Sequence, residues 1–153
     1  MTSTTFPPKR SHAIGRPGST GFSSSLRKAE AVVFESFRGV VQSEGVSPSE
    51  YAVLDLVNVN EGLSQSRLGE ALGIDRSSVV ALVDRFEERK FLMRTPSPHD
   101  RRSHALYLTD NARDILQRLA PKITAHEEQI VAALTPQERE QLILLLEKVG
   151  RKA

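Results

Sequence analysis

One short pattern occurs twice between Leu63 and Val79: an apolar residue, a small polar cap, three polar positions, and an apolar residue again. In Leu63-Ser64-Gln65-Ser66-Arg67-Leu68, the Ser64 oxygen is placed to accept an N–H of the first helical turn, while Leu63 and Leu68 close a hydrophobic staple across it. Ile74-Asp75-Arg76-Ser77-Ser78-Val79 repeats the device with Asp75 as cap. Gly73, between the two, supplies the left-handed backbone that ends one helix and begins a tight turn. The second helix continues with Val79, Leu82, Val83 and Phe86 on one apolar stripe, leaving Arg76, Ser77, Ala81 and Arg85 on the opposite face.

The period then changes from helical to extended. Phe91-Leu92-Met93-Arg94 and His104-Ala105-Leu106-Tyr107-Leu108 read as two strands, and Pro96 and Pro98 punctuate their connection because proline cannot donate to a ladder. The tip carries Asp100, Arg101 and Arg102. Two short helices followed by an arginine-tipped hairpin can straddle duplex DNA: small and polar residues approach base edges, cations reach phosphates, and a tip arginine enters a minor groove. Asp100 is suited to hold one guanidinium while the other reaches out. The expected DNA-contacting set is Ser64, Gln65, Arg76, Ser77, Ser78, Arg85, Arg94, Asp100, Arg101 and Arg102.

Amphipathic segments flank this unit on both sides. A first helix, about Ser24 to Ser43, aligns Leu26, Ala29, Val33, Phe37 and Val40 and stops at Gly45. Val46-Ser47-Pro48-Ser49-Glu50-Tyr51 opens a second with a capping box and proline at the first helical position, followed by Leu54, Leu56, Val57 and Val59. After the hairpin, Thr109 caps a long helix with Leu116, Leu119, Ile123, Ile130 and Ala133 at coiled-coil-like spacing, and Pro121 is expected to kink it. Thr135-Pro136-Gln137-Glu138 starts a last helix whose Leu142 to Leu146 and Val149 are apolar on more than one side. A chain of 153 residues has nothing left to cover that helix, so the first and last two helices are the expected homodimer interface. The fold class expected is mainly α: a winged helix-turn-helix with a two-stranded β-wing over 63–109, N-terminal helices over 24–62, C-terminal dimerisation helices over 110–153, and a basic arm over 1–23.

The run Gly73-Ile74-Asp75-Arg76-Ser77-Ser78-Val79-Val80, then Leu82-Val83-Asp84-Arg85, and above all Asp100-Arg101-Arg102-Ser103-His104-Ala105-Leu106-Tyr107-Leu108-Thr109, resembles the winged helix of MarR-type (multiple antibiotic resistance) regulators. The resemblance implies an obligate dimer on a pseudo-palindromic double-stranded DNA operator, acting as a repressor that a small ligand releases. It further implies aromatic or phenolic effectors, free or as coenzyme A thioesters, in the cleft between dimer helices and DNA lobe. By that resemblance Phe34, Phe37, Arg38 and Tyr51 are candidates for the aromatic acid, and Arg27 and Lys28 for the phosphates of coenzyme A. The alternative reading is that both phenylalanines are core and the cations surface. One departure stands out. Where the family usually has glycine after the recognition helix, this chain has Lys90, and a lysine in the left-handed region costs about 1 kcal/mol, so that helix is expected to end differently and tilt the wing.

Charge matters here through its distribution. The net charge is only +2, but residues 1–28 hold Lys9, Arg10, Arg16, Arg27 and Lys28 with no acid, 29–62 hold six acids against Arg38, and 63–109 hold eight bases and six acids. Affinity for a polyanion must therefore come from placement and from doubling across a dimer. The absence of cysteine removes disulfides, thiolate catalysis and thiol switching. No apolar run approaches the roughly 18 residues that span a bilayer, so no membrane partner and a cytoplasmic location are expected. His12, His99, His104 and His126 show no i, i+4 pair, so no metal and no cofactor is expected beyond the small-molecule effector. His126 is either a polar anchor at the dimer seam or a hydrogen-bonded core histidine. No phosphate loop, nucleophile elbow or triad is present, and Glu87-Glu88 reads as solvated charge, so no catalytic residue is expected. A winged module retained for protein contact alone would show acidic or bulky residues on the recognition face, which this chain does not.

Overall fold

The computed structural model describes residues 21–96 and 104–150. The helices are α1 (Phe22–Gln42), α2 (Pro48–Val59), α3 (Gln65–Leu72), α4 (Arg76–Glu88), α5 (Asp110–Ile130) and α6 (Pro136–Gly150), and the strands are β1 (Leu63–Ser64), β2 (Leu92–Pro96) and β3 (His104–Leu108). The core joins Val53, Leu54 and Val57 of α2, Leu68 of α3, Val79, Val83 and Phe86 of α4, Leu106 and Leu108 of β3, and Ile115 and Leu119 of α5. Apolar stripes from four helices and one sheet face thus meet over the helix-turn-helix, which is what holds that unit rigid.

The sheet has three strands rather than two, in the order β1-β3-β2, all antiparallel. Leu63 pairs with Leu106 and Ser64 with Ala105, while β2 and β3 run from Leu92 opposite Leu108 to Pro96 opposite His104. A two-residue strand is too short to show a period, so its sequence carries only the cap signal. Ser64 serves both elements: it ends β1 and its hydroxyl accepts from the Arg67 N–H at 3.3 Å. Pro96 is tolerated because it lies at the end of its strand.

Other expectations shift in detail. α1 begins at Phe22, two residues earlier than its pattern indicates, and residues 1–20 of the arm lie outside the described residues. Val59 does not join the core and is 68% exposed. α5 runs unbroken through Pro121 and ends at Ile130, so Ala133 falls beyond it. The capping boxes form as read: the Ser47 N–H donates to Glu50 at 2.8 Å and the Thr135 N–H to Glu138 at 2.8 Å, each glutamate N–H returning a bond to the cap oxygen. The hydrogen bond to Thr135 holds the Glu138 carboxyl below the usual range. α6 leaves none of its residues buried, and Leu26, Val33 and Ile130 are uncovered beside it.

Candidate nucleic-acid interface

α3 and α4 meet through a turn that needs glycine's left-handed backbone at Gly73 and leaves little room for a side chain at Gly69. Gly73 takes φ +65°, and the Ile74 N–H reaches back to the Gly69 carbonyl at 3.0 Å while the Gly73 N–H reaches Glu70 at 3.2 Å, a Schellman end. A Cβ on Gly69 would stand 3.3 Å from the Ile74 carbonyl and 3.5 Å from Val79, so the absent side chain lets α4 close onto α3.

The N-terminal end of α4 is exposed at Arg76, Ser77 and Ser78. Asp75 organises it. Its carboxylate accepts the Ser77 N–H at 2.8 Å, the Ser78 N–H at 3.0 Å, and both serine hydroxyls, that of Ser78 at 2.6 Å. These bonds, the Ser77 hydroxyl first, hold its pKa well below the ordinary range, so the cap is a carboxylate screened by four donors. With their protons committed to Asp75, Ser77 and Ser78 offer lone pairs outward and suit the amino groups of bases. Arg85 is exposed nearer the C-terminal end of α4 and Val80 and Ala81 lie open between.

Arg94, Gln65 and Ser64 are placed differently from free DNA contacts. The Arg94 guanidinium bridges Asp84 at 2.6 Å and Glu87, its own N–H donates to Glu87 at 2.9 Å, and its side chain is only 19% exposed. It ties β2 to α4. Glu87 is accordingly no solvated charge but half of that clasp, a pairing across seven residues and a change of secondary structure that the sequence pattern does not display. The Gln65 side-chain nitrogen is buried with no partner among the described residues, and the Ser64 hydroxyl is engaged as a cap. Asp100, Arg101 and Arg102 lie outside the described residues.

α4 ends at the departure seen in the sequence. Lys90 does adopt φ +55°, its N–H reaching Glu87 at 2.8 Å and the Phe91 N–H reaching Phe86 at 2.8 Å. The helix therefore ends by the same left-handed route a glycine would take, contrary to the expectation of a different ending. The surroundings hold lysine there: the Phe86 and Phe91 rings meet edge to face at 6.1 Å, and the Lys90 carbonyl accepts the Thr109 hydroxyl at 2.6 Å.

Five of the six candidate ligand residues divide between two grooves along α1, and Arg38 lines neither. Phe34, Phe37 and Tyr51 line one of about 730 Å³ with Asp55 and Leu56; Arg27 and Lys28 line another near the start of α1. Phe37 is half-buried, edge-on to Tyr51 at 5.6 Å, whereas Phe34 is 48% exposed. Arg38 lies over the Phe34 ring at 5.5 Å and pairs with Glu35 at 3.1 Å. Burial first, then the charges of Asp55 and Glu127, raise the Tyr51 phenol above its usual value. His126 is a core histidine: buried on α5, its Nε2 lies 2.7 Å from the Ser36 hydroxyl of α1. Among the described residues no three histidine or carboxylate side chains gather as a metal site, and no helix is long and apolar enough to cross a membrane.

The arrangement has known counterparts. A MarR family model matches residues 44–103. A Thauera aromatica protein, described as a transcriptional regulatory protein for the hcr operon, is 36% identical over 136 residues, spanning 88% of this chain and 81% of that one. The chain belongs to the MarR family. Like its relatives, this MarR-family protein is a DNA-binding transcription regulator and not an enzyme. It is similar to the transcriptional repressor CouR bound to a 23-mer DNA duplex, with TM-score 0.73 and 36% identity over 86% of this chain and 93% of that one. CouR bound to p-coumaroyl-CoA is similar at TM-score 0.71 and 33% identity, over 87% and 94% of the two chains.

Proposed function

We propose that this MarR-family protein is a homodimeric repressor that places α4 of each protomer in successive major-groove turns of a palindromic duplex and is released by an aromatic acyl thioester. The observation that carries the DNA-binding reading is the exposed start of α4, where Arg76 stands beside two serines whose cap leaves them as acceptors. Arg85 supplies a second cation on the same helix, and Arg101 and Arg102 serve as the minor-groove or phosphate contacts of the wing. The dimer reading is supported by an apolar groove that Leu26 and Val33 of α1, Ile130 of α5 and Leu142, Ile143 and Leu146 of α6 line together. A second copy covers such a surface by two-fold symmetry and sets the two α4 helices about 34 Å apart or a multiple of it.

Charge supports this effector class. Asp55 lines the aromatic groove, and the field of Asp55 and Glu127 at Tyr51 is negative, which opposes a free carboxylate there and accepts an uncharged ring. Arg27 lies seven residues before Phe34, two helical turns and about 10 Å along one face of α1, a placement suited to the phosphates of coenzyme A. The binding of p-coumaroyl-CoA by CouR supports the same class.

The test is a mobility-shift titration on the duplex upstream of the chain's own coding sequence, alone and with p-coumaroyl-CoA or p-coumarate. Binding that the thioester relieves and the free acid does not is the expected result. Absence of binding to any duplex removes the DNA assignment, and equal relief by the free acid removes the thioester assignment.

A further inference from the structure

Arg89 sits at the C-terminal end of α4, opposite the residues that meet DNA, and its guanidinium is divided between two acceptors on another part of the fold. One is the Glu50 carboxylate in the first turn of α2; the other is the Gly45 carbonyl, at 2.9 Å. The fork is further oriented by the Phe91 ring, whose centroid lies 4.4 Å from the guanidinium carbon. Both acceptors are themselves fixed. Gly45 takes φ +74° in the turn that follows α1, and Glu50 is held by the Ser47 N–H at 2.8 Å.

The same turn is gripped from a second direction. Arg118 and Lys122 of α5 reach Glu44 at 2.7 and 2.6 Å, and Lys122 also donates to the Ser43 hydroxyl at 2.9 Å. The segment from Ser43 to Glu50 thus receives the end of α4 through Arg89 and the middle of α5 through Glu44.

The apolar stripe of Val79, Val83 and Phe86 seats α4 on the core, but apolar contact has no direction and leaves the tilt of a helix loosely defined. A guanidinium bonded to two fixed acceptors and stacked on a ring does define it. We propose that Arg89 and Glu50 are positioning residues for DNA recognition, locking the C-terminal end of α4 to the α1–α2 turn and so setting the angle at which Arg76, Ser77 and Ser78 meet base edges. The assignment rests on α4 being the DNA-reading helix.

Phosphate contacts tolerate a change of tilt and base-edge contacts do not, so loss of the lock reduces specific binding and spares non-specific binding. Glu50→Gln is the informative variant, because glutamine at that position retains the capping box while giving up the ion pair. Arg89→Gln, Arg89→Lys and the double variant Glu50→Gln/Arg89→Gln complete the set. The probes are a duplex that the wild-type protein enriches from a random pool and a scrambled duplex of equal length, at one salt concentration. Each single variant is expected to lower the ratio of specific to non-specific affinity by about fivefold or more, with its thermal melt little changed, and the double variant to do no worse than the weaker single one. Unchanged ratios, losses that add, or equal losses on both duplexes overturn the proposal. If the wild-type protein enriches no sequence, the DNA-binding reading fails and this proposal with it.

Discussion

Arg94 of β2 is clasped to Glu87 of α4 by two bonds, one from its backbone N–H at 2.9 Å and one from its guanidinium. Because Asp84 holds the same guanidinium at 2.6 Å, this cation belongs to the joint between β2 and α4 rather than to the solvent-facing charge. Its removal and the removal of a true phosphate contact therefore have different salt signatures.

Arg94→Gln should weaken operator binding while leaving the slope of log K against log salt unchanged. Arg85→Gln, at an exposed cation, should lower that slope by about 0.9 if it neutralises one phosphate, and Arg76→Ala should cost about 1 to 3 kcal/mol if it reads a base. Fluorescence-anisotropy titrations at four salt concentrations separate the cases. A slope that falls with Arg94→Gln would show that Arg94 reaches DNA after all.

Lys90 occupies the left-handed region at φ +55°, where glycine carries no Cβ penalty. Lys90→Gly should therefore stabilise the protein by up to about 1 kcal/mol, the added freedom of the unfolded chain offsetting part of the gain. Urea denaturation measures it. A loss of stability would mean that the lysine stem contributes more by contact than the backbone loses by strain.

The Asp75 and Glu44 carboxyls are both lowered, Asp75 chiefly by the Ser77 hydroxyl and Glu44 chiefly by Lys122. A folded value below the unfolded one means stability that is complete above the ordinary carboxylate range, near pH 4 to 5, and lost as pH falls through the depressed values. Wild-type stability should be level from pH 8 to about 5 and decline below 4. Asp75→Asn should flatten part of that decline, and acid titration of the two proteins followed by circular dichroism checks it.

Leu142→Glu combined with Leu146→Glu places charge on two exposed leucines of α6 that line the groove shared with α1 and α5. Light scattering should report one chain instead of two, while the helical signal persists because no α6 residue belongs to the core of the protomer. Operator binding should fall with the dimer. A mass that stays at two chains would move the interface elsewhere.

The side-chain caps are legible in the sequence because each signal spans four residues or fewer. Ser47 with Glu50, Ser64 with Arg67, Asp75 with Ser77 and Ser78, Thr109 with Ala112, and Thr135 with Glu138 all form the caps their spacing indicates. β1 is not legible in the sequence, because pairing Leu63 with Leu106 joins residues 43 apart and two residues carry no alternation. Glu87 resembles solvated charge in the sequence for a related reason: its partner lies past the end of its own helix.

What the sequence alone determined is the order of the helices and of the two hairpin strands, the left-handed ends at Gly45 and Gly73, the caps and the cation-and-serine face of α4, since each depends on backbone sterics and hydrogen bonds within a few residues. What only the tertiary structure decided is which charged groups pair with one another across elements. Arg89, Arg94, Arg118 and Lys122 are indistinguishable from surface cations in the chain, and folding commits them to Glu50, Glu87 and Glu44. Whether a long side chain faces solvent or a partner depends on the packing angle between elements, and that angle is a property of the assembled core, which no short stretch of sequence encodes.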